Sequence, residues 1–225
     1  MEIFFDLEYE ENLPIGDNVD EDLALLLKTA KFKLFEKGLY DEKLITKAFW
    51  YCVEKHKDVI RKSGKPYYSH PLKVAIILIT TFPLVDSESI AACLLHDTIE
   101  DVDEVTFESI SQNFNQNIAF LVDGVTKIST ESSDKGKNKA LTYKKIFIAL
   151  VQDIRIILIK LADRLHNIRT LHYLKEEKQK QIALETLNFY TPIAHRLGLS
   201  RIKMELENLS FYFLDKVTYQ AIKDA

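Results

Sequence analysis

Apolar residues in this chain recur every three to four positions almost from end to end, the spacing that lines one face of a helix. From Asp20, DEDLALLLKTAKFKLFEKG predicts a helix capped by Asp20 and closed by Gly38. A second helix starts at Asp41, with Leu44, Ile45, Ala48, Phe49, Cys52, Val53 and His56 on its apolar stripe. RKSGKPYYS, 61–69, breaks the pattern and predicts a loop; His70 follows it, and Pro71 opens the helix LKVAIILITTF. Ser87 is expected to cap one continuous helix, SESIAACLLHDTIED, and Thr106 to cap TFESISQNF, with NIAFLVDGVTKI as a further helical piece. ESSDKGKNK, 131–139, is the most polar stretch and predicts a loop. After it KKIFIALVQ, DIRIILIKLADRLHNIRTLHYL, EEKQKQIALETLNFYTPIAHRLG and SRIKMELENLSFYFLDKVTYQAI all read as helical. RIILIKL alone fits a buried strand as well, but Ile157, Leu161, Leu165, Ile168 and Leu171 keep helical spacing through it. With no βαβ alternation and no internal repeat, the fold class is all-α.

Composition agrees. Six glycines and 5 prolines in 225 residues leave few breakers, and that length suits one large domain or two small ones around a real core. The formal net charge of -4 argues against a nonspecific nucleic-acid partner. No apolar run approaches the roughly 18 residues that a membrane span needs. MEIFFDLEYEEN at the start is acidic and lacks the basic flank of a signal peptide, so residues 1–19 read as an acidic leader. Cys52 and Cys93, far apart in apolar helical patterns, fit reduced thiols, and the expected location is cytoplasmic.

One apolar stretch carries an unusual load. In CLLHDTIED, 93–101, a histidine stands beside an aspartate and a second acidic pair follows one turn later. On a helix Asp97, Glu100 and Asp101 fall at i, i+3 and i+4, on one face. Three crowded carboxylates repel unless a cation neutralises them or the helix end is simply wet, and both readings are open on this segment alone. His70, at a helix start, and Asp163, in KLADRLHN, enlarge the set to two imidazoles and two carboxylates. Such a sulfur-free donor set favours Mn, Fe, Ni, Zn or Mg-type chemistry over structural zinc, and suits Mn best. Lys160, Asp163, Asn167 and Thr170 form a polar stripe that would equally serve as a solvated face.

His70, His96-Asp97 and Asp163 match the metal pattern of the HD superfamily. More narrowly, RKSGKPYYSHP, LLHDTIED, LVDGVTKI, IKLADRLHNIRTL and YTPIAHRLGLSRIKMELENLSF, in that order, resemble the hydrolase domain of the RelA/SpoT homologue family of alarmone enzymes. The resemblance implies an HD-type helical bundle with a metal site between helices, a hydrolase domain over 20–195, and connector helices over 196–225 packed on the same domain. It implies Mn²⁺ on His70, His96, Asp97 and Asp163, with Glu100 and Asp101 polarising the attacking water. Arg61, Lys62 and Ser63 would contact the nucleotide, and Asn167 and Thr170 would line the same pocket. The implied substrate is a small nucleotide, guanosine tetra- or pentaphosphate, whose 3′-diphosphate is removed to give GDP or GTP and pyrophosphate. One departure is ALTYKK, where an acidic residue and an arginine are expected and Lys144 stands near the arginine position. Two other readings keep the same residues: an HD-type phosphohydrolase for a different nucleotide, and a non-catalytic alarmone-sensing module. The chain reads as a free-standing hydrolase or as the hydrolase part of a longer synthetase/hydrolase, and no feature specifies an oligomeric state.

Overall fold

A computed structural model describes residues 15–132, 148–149 and 151–224. Among them every regular element is helical, and the one β feature is an isolated bridge between Ile60 and Pro66. Two compact units divide the chain, one spanning Ile15–Ala162 and the other running from Asp163 onward. The boundary falls within a helix.

The first unit is built from α1 (Val19–Leu34), α2 (Glu42–Lys55), α3 (Ser69–Thr81), α4 (Ser87–Leu95), α5 (Thr98–Asp101), α6 (Phe107–Asn113), α7 (Gln116–Ser132) and most of α8 (Ile154–Arg169). Asn18, not Asp20, caps α1, its side chain accepting from the backbone N–H groups of Asp20 and Glu21. Asp20 is left in the first turn, where its charge favours the positive end of the helix. Asp41 caps α2 as expected. At α4 the cap is Asp86, reciprocated by Ser89. Ser87 instead ties the helix to the loop before α2, accepting from Asp41 N–H and donating to Leu39 O. Thr106 caps α6 with Ser109 in the same reciprocal arrangement.

α4 is the centre of this unit. Residues Ile90 to Leu95 are all buried, and the helix packs against α2, α3 and α7. Its continuous run of small and branched apolar side chains reads as a fully enclosed helix rather than an amphipathic surface one. Against α8, α7 presents Gly124, where even a single added carbon would come within 2.5 Å of Ile156 Cδ1. Glycine is what that close approach demands.

The second unit contains the end of α8, then α9 (Glu176–Glu185), a π-helical turn (Thr186–Tyr190), α10 (Thr191–Arg196), α11 (Ser200–Leu214) and α12 (Lys216–Lys223). The stretch expected as one helix from Ser200 onward breaks at Asp215, whose carboxylate accepts from Thr218 N–H and so starts a new helix. Buried Arg164 lies 4.2 Å from the Tyr190 ring centroid and donates to Glu185. RIILIKL is helical, as its continuation required. ESSDKGKNK from 133, KKIFIALVQ up to 147, and Lys144 lie outside the described residues, as does the leader up to 14. Ile15, still within the leader expected over 1–19, is buried.

Candidate metal centre and active site

The helix expected over 87–101 is interrupted where the chemistry begins. α4 stops at Leu95, and a new short helix starts at Thr98. Side chains cause the break. Thr98 Oγ1 donates to Leu95 O at 2.6 Å, and His96 Nδ1 bonds Cys93 O at 2.7 Å, so these carbonyls bond side chains at the point where the helix ends. Asp97 then begins the next turn, its carbonyl accepting from the N–H groups of Glu100 and Asp101. The i, i+3, i+4 relation of the three acids survives within that turn, although the longer helix does not.

His70 lies in the first turn of α3, which starts at Ser69, two residues before the expected opening at Pro71. The loop before it is a tight hydrogen-bonded turn. Arg61 N–H donates to Lys65 O, Gly64 N–H donates to Arg61 O, and Gly64 takes the left-handed conformation that glycine tolerates.

One ligand atom each from His70, His96 and Asp97 lies within 4.8 Å of the others. His96 Nε2 is 3.0 Å from Asp97 Oδ1, and His70 Nε2 is 3.5 Å from Asp97 Oδ2. Both imidazoles are buried. Because a carbonyl only accepts, His96 Nδ1 carries the hydrogen toward Cys93 O. In its neutral form the ring would turn a lone pair on Nε2 toward an anionic oxygen. That contact is favourable only with a proton or a cation between the two atoms. Burial pushes the Asp97 carboxyl up, but the adjacent His96 and His70 outweigh it and hold the group well below the ordinary carboxylate range. An anion flanked by two imidazoles, one with its other nitrogen fixed on a carbonyl, is what a divalent cation requires of its ligands.

Tyr67, three residues before His70, is a participant that the sequence reading passed over. Its hydroxyl lies 2.9 Å from Asp97 Oδ2 and 2.6 Å from Asp101 Oδ2. Burial and the charges of Asp97 and Asp101 push the phenol far above its usual range, so it stays a donor. Its ring stacks on buried His56, with centroids 4.5 Å apart and planes 15° from parallel, and the Arg61 guanidinium sits 5.9 Å from its centroid. His56 Nδ1 in turn bonds Cys52 O at 3.0 Å. The only signal in the sequence was the position of Tyr67 in the loop leading to a candidate ligand.

The remaining candidates divide as follows. Glu100 and Asp101 are exposed beside the cluster, Lys62 is exposed, and Arg61 and Ser63 are half-buried. Asp163, Asn167 and Thr170 belong to the second unit. There Asn167 Nδ2 donates to Asp163 Oδ1 at 2.6 Å, and Thr170 Oγ1 donates back to His166 O. Lys160 and Asp163 are both buried, whereas Asn167 and Thr170 are half-buried, so the stripe is enclosed at its first half only. Cys52 and Cys93 are free thiols, both buried.

A family profile described as HD domain matches residues 48–200. The chain belongs to the HD domain family. HD domains depend on divalent metal ions, and in this HD chain the three clustered donors form a candidate site for one. Relatives of this HD domain include a "GTP pyrophosphokinase" of Myxococcus xanthus, 47% identical over 187 residues, which cover 81% of this chain and 24% of that protein. The "Bifunctional (p)ppGpp synthase/hydrolase SpoT" of Escherichia coli K12 is 44% identical over 183 residues, covering 81% of this chain and 26% of that one. The HD chain thus spans about a quarter of the length of the curated relatives it matches. A solved structure described as a metazoan orthologue of SpoT that hydrolyses ppGpp is 25% identical, with a TM-score of 0.52, covering 81% of this chain and 97% of that one. These likenesses bear out the resemblance to the RelA/SpoT family and the all-α HD fold.

Proposed function

We propose that this HD domain hydrolyses the alarmone (p)ppGpp, releasing pyrophosphate and leaving GDP or GTP. The observation that carries the proposal is the convergence of His70, His96 and Asp97, with Asp101 tied to the same aspartate through Tyr67. The relatives named for (p)ppGpp hydrolysis support the choice of substrate.

In the reaction, water oxygen bonds to the phosphorus joined to the ribose 3′ oxygen. The bond from that phosphorus to the 3′ oxygen breaks, and the oxygen leaves as the nucleotide's hydroxyl, taking one proton. A divalent cation held by His70, His96 and Asp97, with Mn²⁺ as the preferred ion, would supply charge withdrawal from the phosphoryl oxygens and a more acidic water. Glu100 or Asp101 accepts the water's proton; both are exposed, able to pass it on to solvent. Arg61, Lys62 and Ser63 in the tight turn offer cationic and hydroxyl donors to a diphosphate or a guanine face. Asp163 as fourth ligand, and Asn167 and Thr170 as nucleotide contacts, are proposed on the sequence resemblance.

The test is incubation of the pure protein with guanosine tetraphosphate in Mn²⁺ or in chelator. GDP and pyrophosphate should form with Mn²⁺ and not with chelator. Cation binding without any turnover would favour the sensing module, and turnover of other nucleotide diphosphates in preference would favour the broader phosphohydrolase.

A further inference from the structure

We infer that Tyr67 is a positioning residue whose hydroxyl ties the cation ligand Asp97 to the water-side acid Asp101. The inference deepens the hydrolase reading and rests on it for the role of Asp101. One phenol hydrogen faces two carboxylate oxygens, at 2.9 Å and 2.6 Å, and one hydrogen cannot serve both fully. The shorter contact is to Asp101. The hydrogen is shared between the two oxygens, so the hydroxyl holds the two carboxylates at a fixed spacing. With the site loaded, the tie keeps Asp97 oriented toward the ion and holds Asp101 Oδ2, leaving the other Asp101 oxygen for water. Three contacts around the phenol make the tie rigid: the His56 stack, the Arg61 guanidinium and the Tyr67 N–H donating to Val59 O. Charge-assisted bonds to a carboxylate are the strong ones, and partners that orient a metal ligand change affinity markedly when removed.

The alternative is that Tyr67 merely packs against His56. Tyr67→Phe separates the two, since it keeps the ring and removes only the hydroxyl. Titrating Mn²⁺ alone into this variant by calorimetry should show affinity roughly 10- to 100-fold below the parent, with the cation-free unfolding midpoint within about 2 °C. With saturating Mn²⁺, turnover of guanosine tetraphosphate should fall by a similar factor while KM stays within about twofold. Should Tyr67→Phe not fold, the other end of the tie is tested. Asp101→Ala should weaken Mn²⁺ binding more than Glu100→Ala, although each removes one charge from the same turn. Affinity in Tyr67→Phe within twofold of the parent, equal effects of the two acid variants, or a parent that binds no Mn²⁺ would overturn the inference. Because the titration uses no nucleotide, a parent that binds Mn²⁺ but hydrolyses nothing sinks the hydrolase reading alone and leaves the tie to be judged by affinity.

Discussion

At the scale of single residues, the site depends on a few atoms whose loss has separable consequences. Asp97 is flanked by both imidazoles, so Asp97→Ala should abolish Mn²⁺ binding, read by calorimetry. Glu100 lies outside the donor cluster and is exposed, so Glu100→Ala should bind Mn²⁺ as the parent does yet lose roughly 10²- to 10⁴-fold in turnover. Full activity in that variant would leave Asp101 as the sole proton acceptor. Most of these residues were legible in the sequence because an acid-rich turn inside an apolar stretch is costly without a partner. Tyr67 was not. A tyrosine's role depends on where its one hydroxyl points, and composition and spacing say nothing about that.

At the scale of elements, the helix pattern was readable and the breaks were not. Periodicity shows which face is apolar, but the interruption at His96 and the caps at Asn18 and Asp86 depend on hydrogen bonds between particular side chains and carbonyls. Asp86 also holds the start of α8. Its Oδ2 lies 2.8 Å from Arg155 Nη1, and Arg155 also forks onto Asp153. Burial pushes the Asp153 carboxyl up, but the side-chain and backbone N–H groups of Arg155 outweigh it and set the group below its ordinary 3.8. The ionised carboxylate is thus favoured by folding. Its stabilisation is fully present above the unfolded value of 3.8 and fades as pH falls through the lower folded value. Asp153→Asn should cost about 1.5 kcal/mol in denaturant unfolding at pH 7, with the gap to the parent narrowing as pH falls below 3.8 through the lower folded value. The α7–α8 approach gives a second test. Gly124→Ala gains about 1 kcal/mol in helix propensity but overpacks against Ile156 by about 1–3 kcal/mol, so the net change should be destabilising. Adding Ile156→Val removes the clashing Cδ1 and should relieve the defect, a coupling that a double-mutant cycle measures.

At the scale of the whole molecule, the all-α class and the HD assignment followed from the few breakers and from five ordered motifs, and the structure and relatives agree. Cation binding to the folded chain alone should raise its stability by about 2.7 kcal/mol at one hundred times the dissociation constant, seen as a higher unfolding midpoint in Mn²⁺ than in chelator.

Tyr68 sits next to Tyr67 but bonds elsewhere: its hydroxyl donates to buried Asp22 of α1, which also accepts from Gly16 N–H. Two neighbouring phenols thus fasten one short piece of chain to the first helix on one side and to Asp97 and Asp101 on the other. A substitution such as Asp22→Ala, remote from any ligand in the sequence, would slacken one moorings point and be felt at the next residue along. A change near the first helix would thus reach the candidate ion site through Tyr68 and Tyr67, without touching the clustered donors themselves.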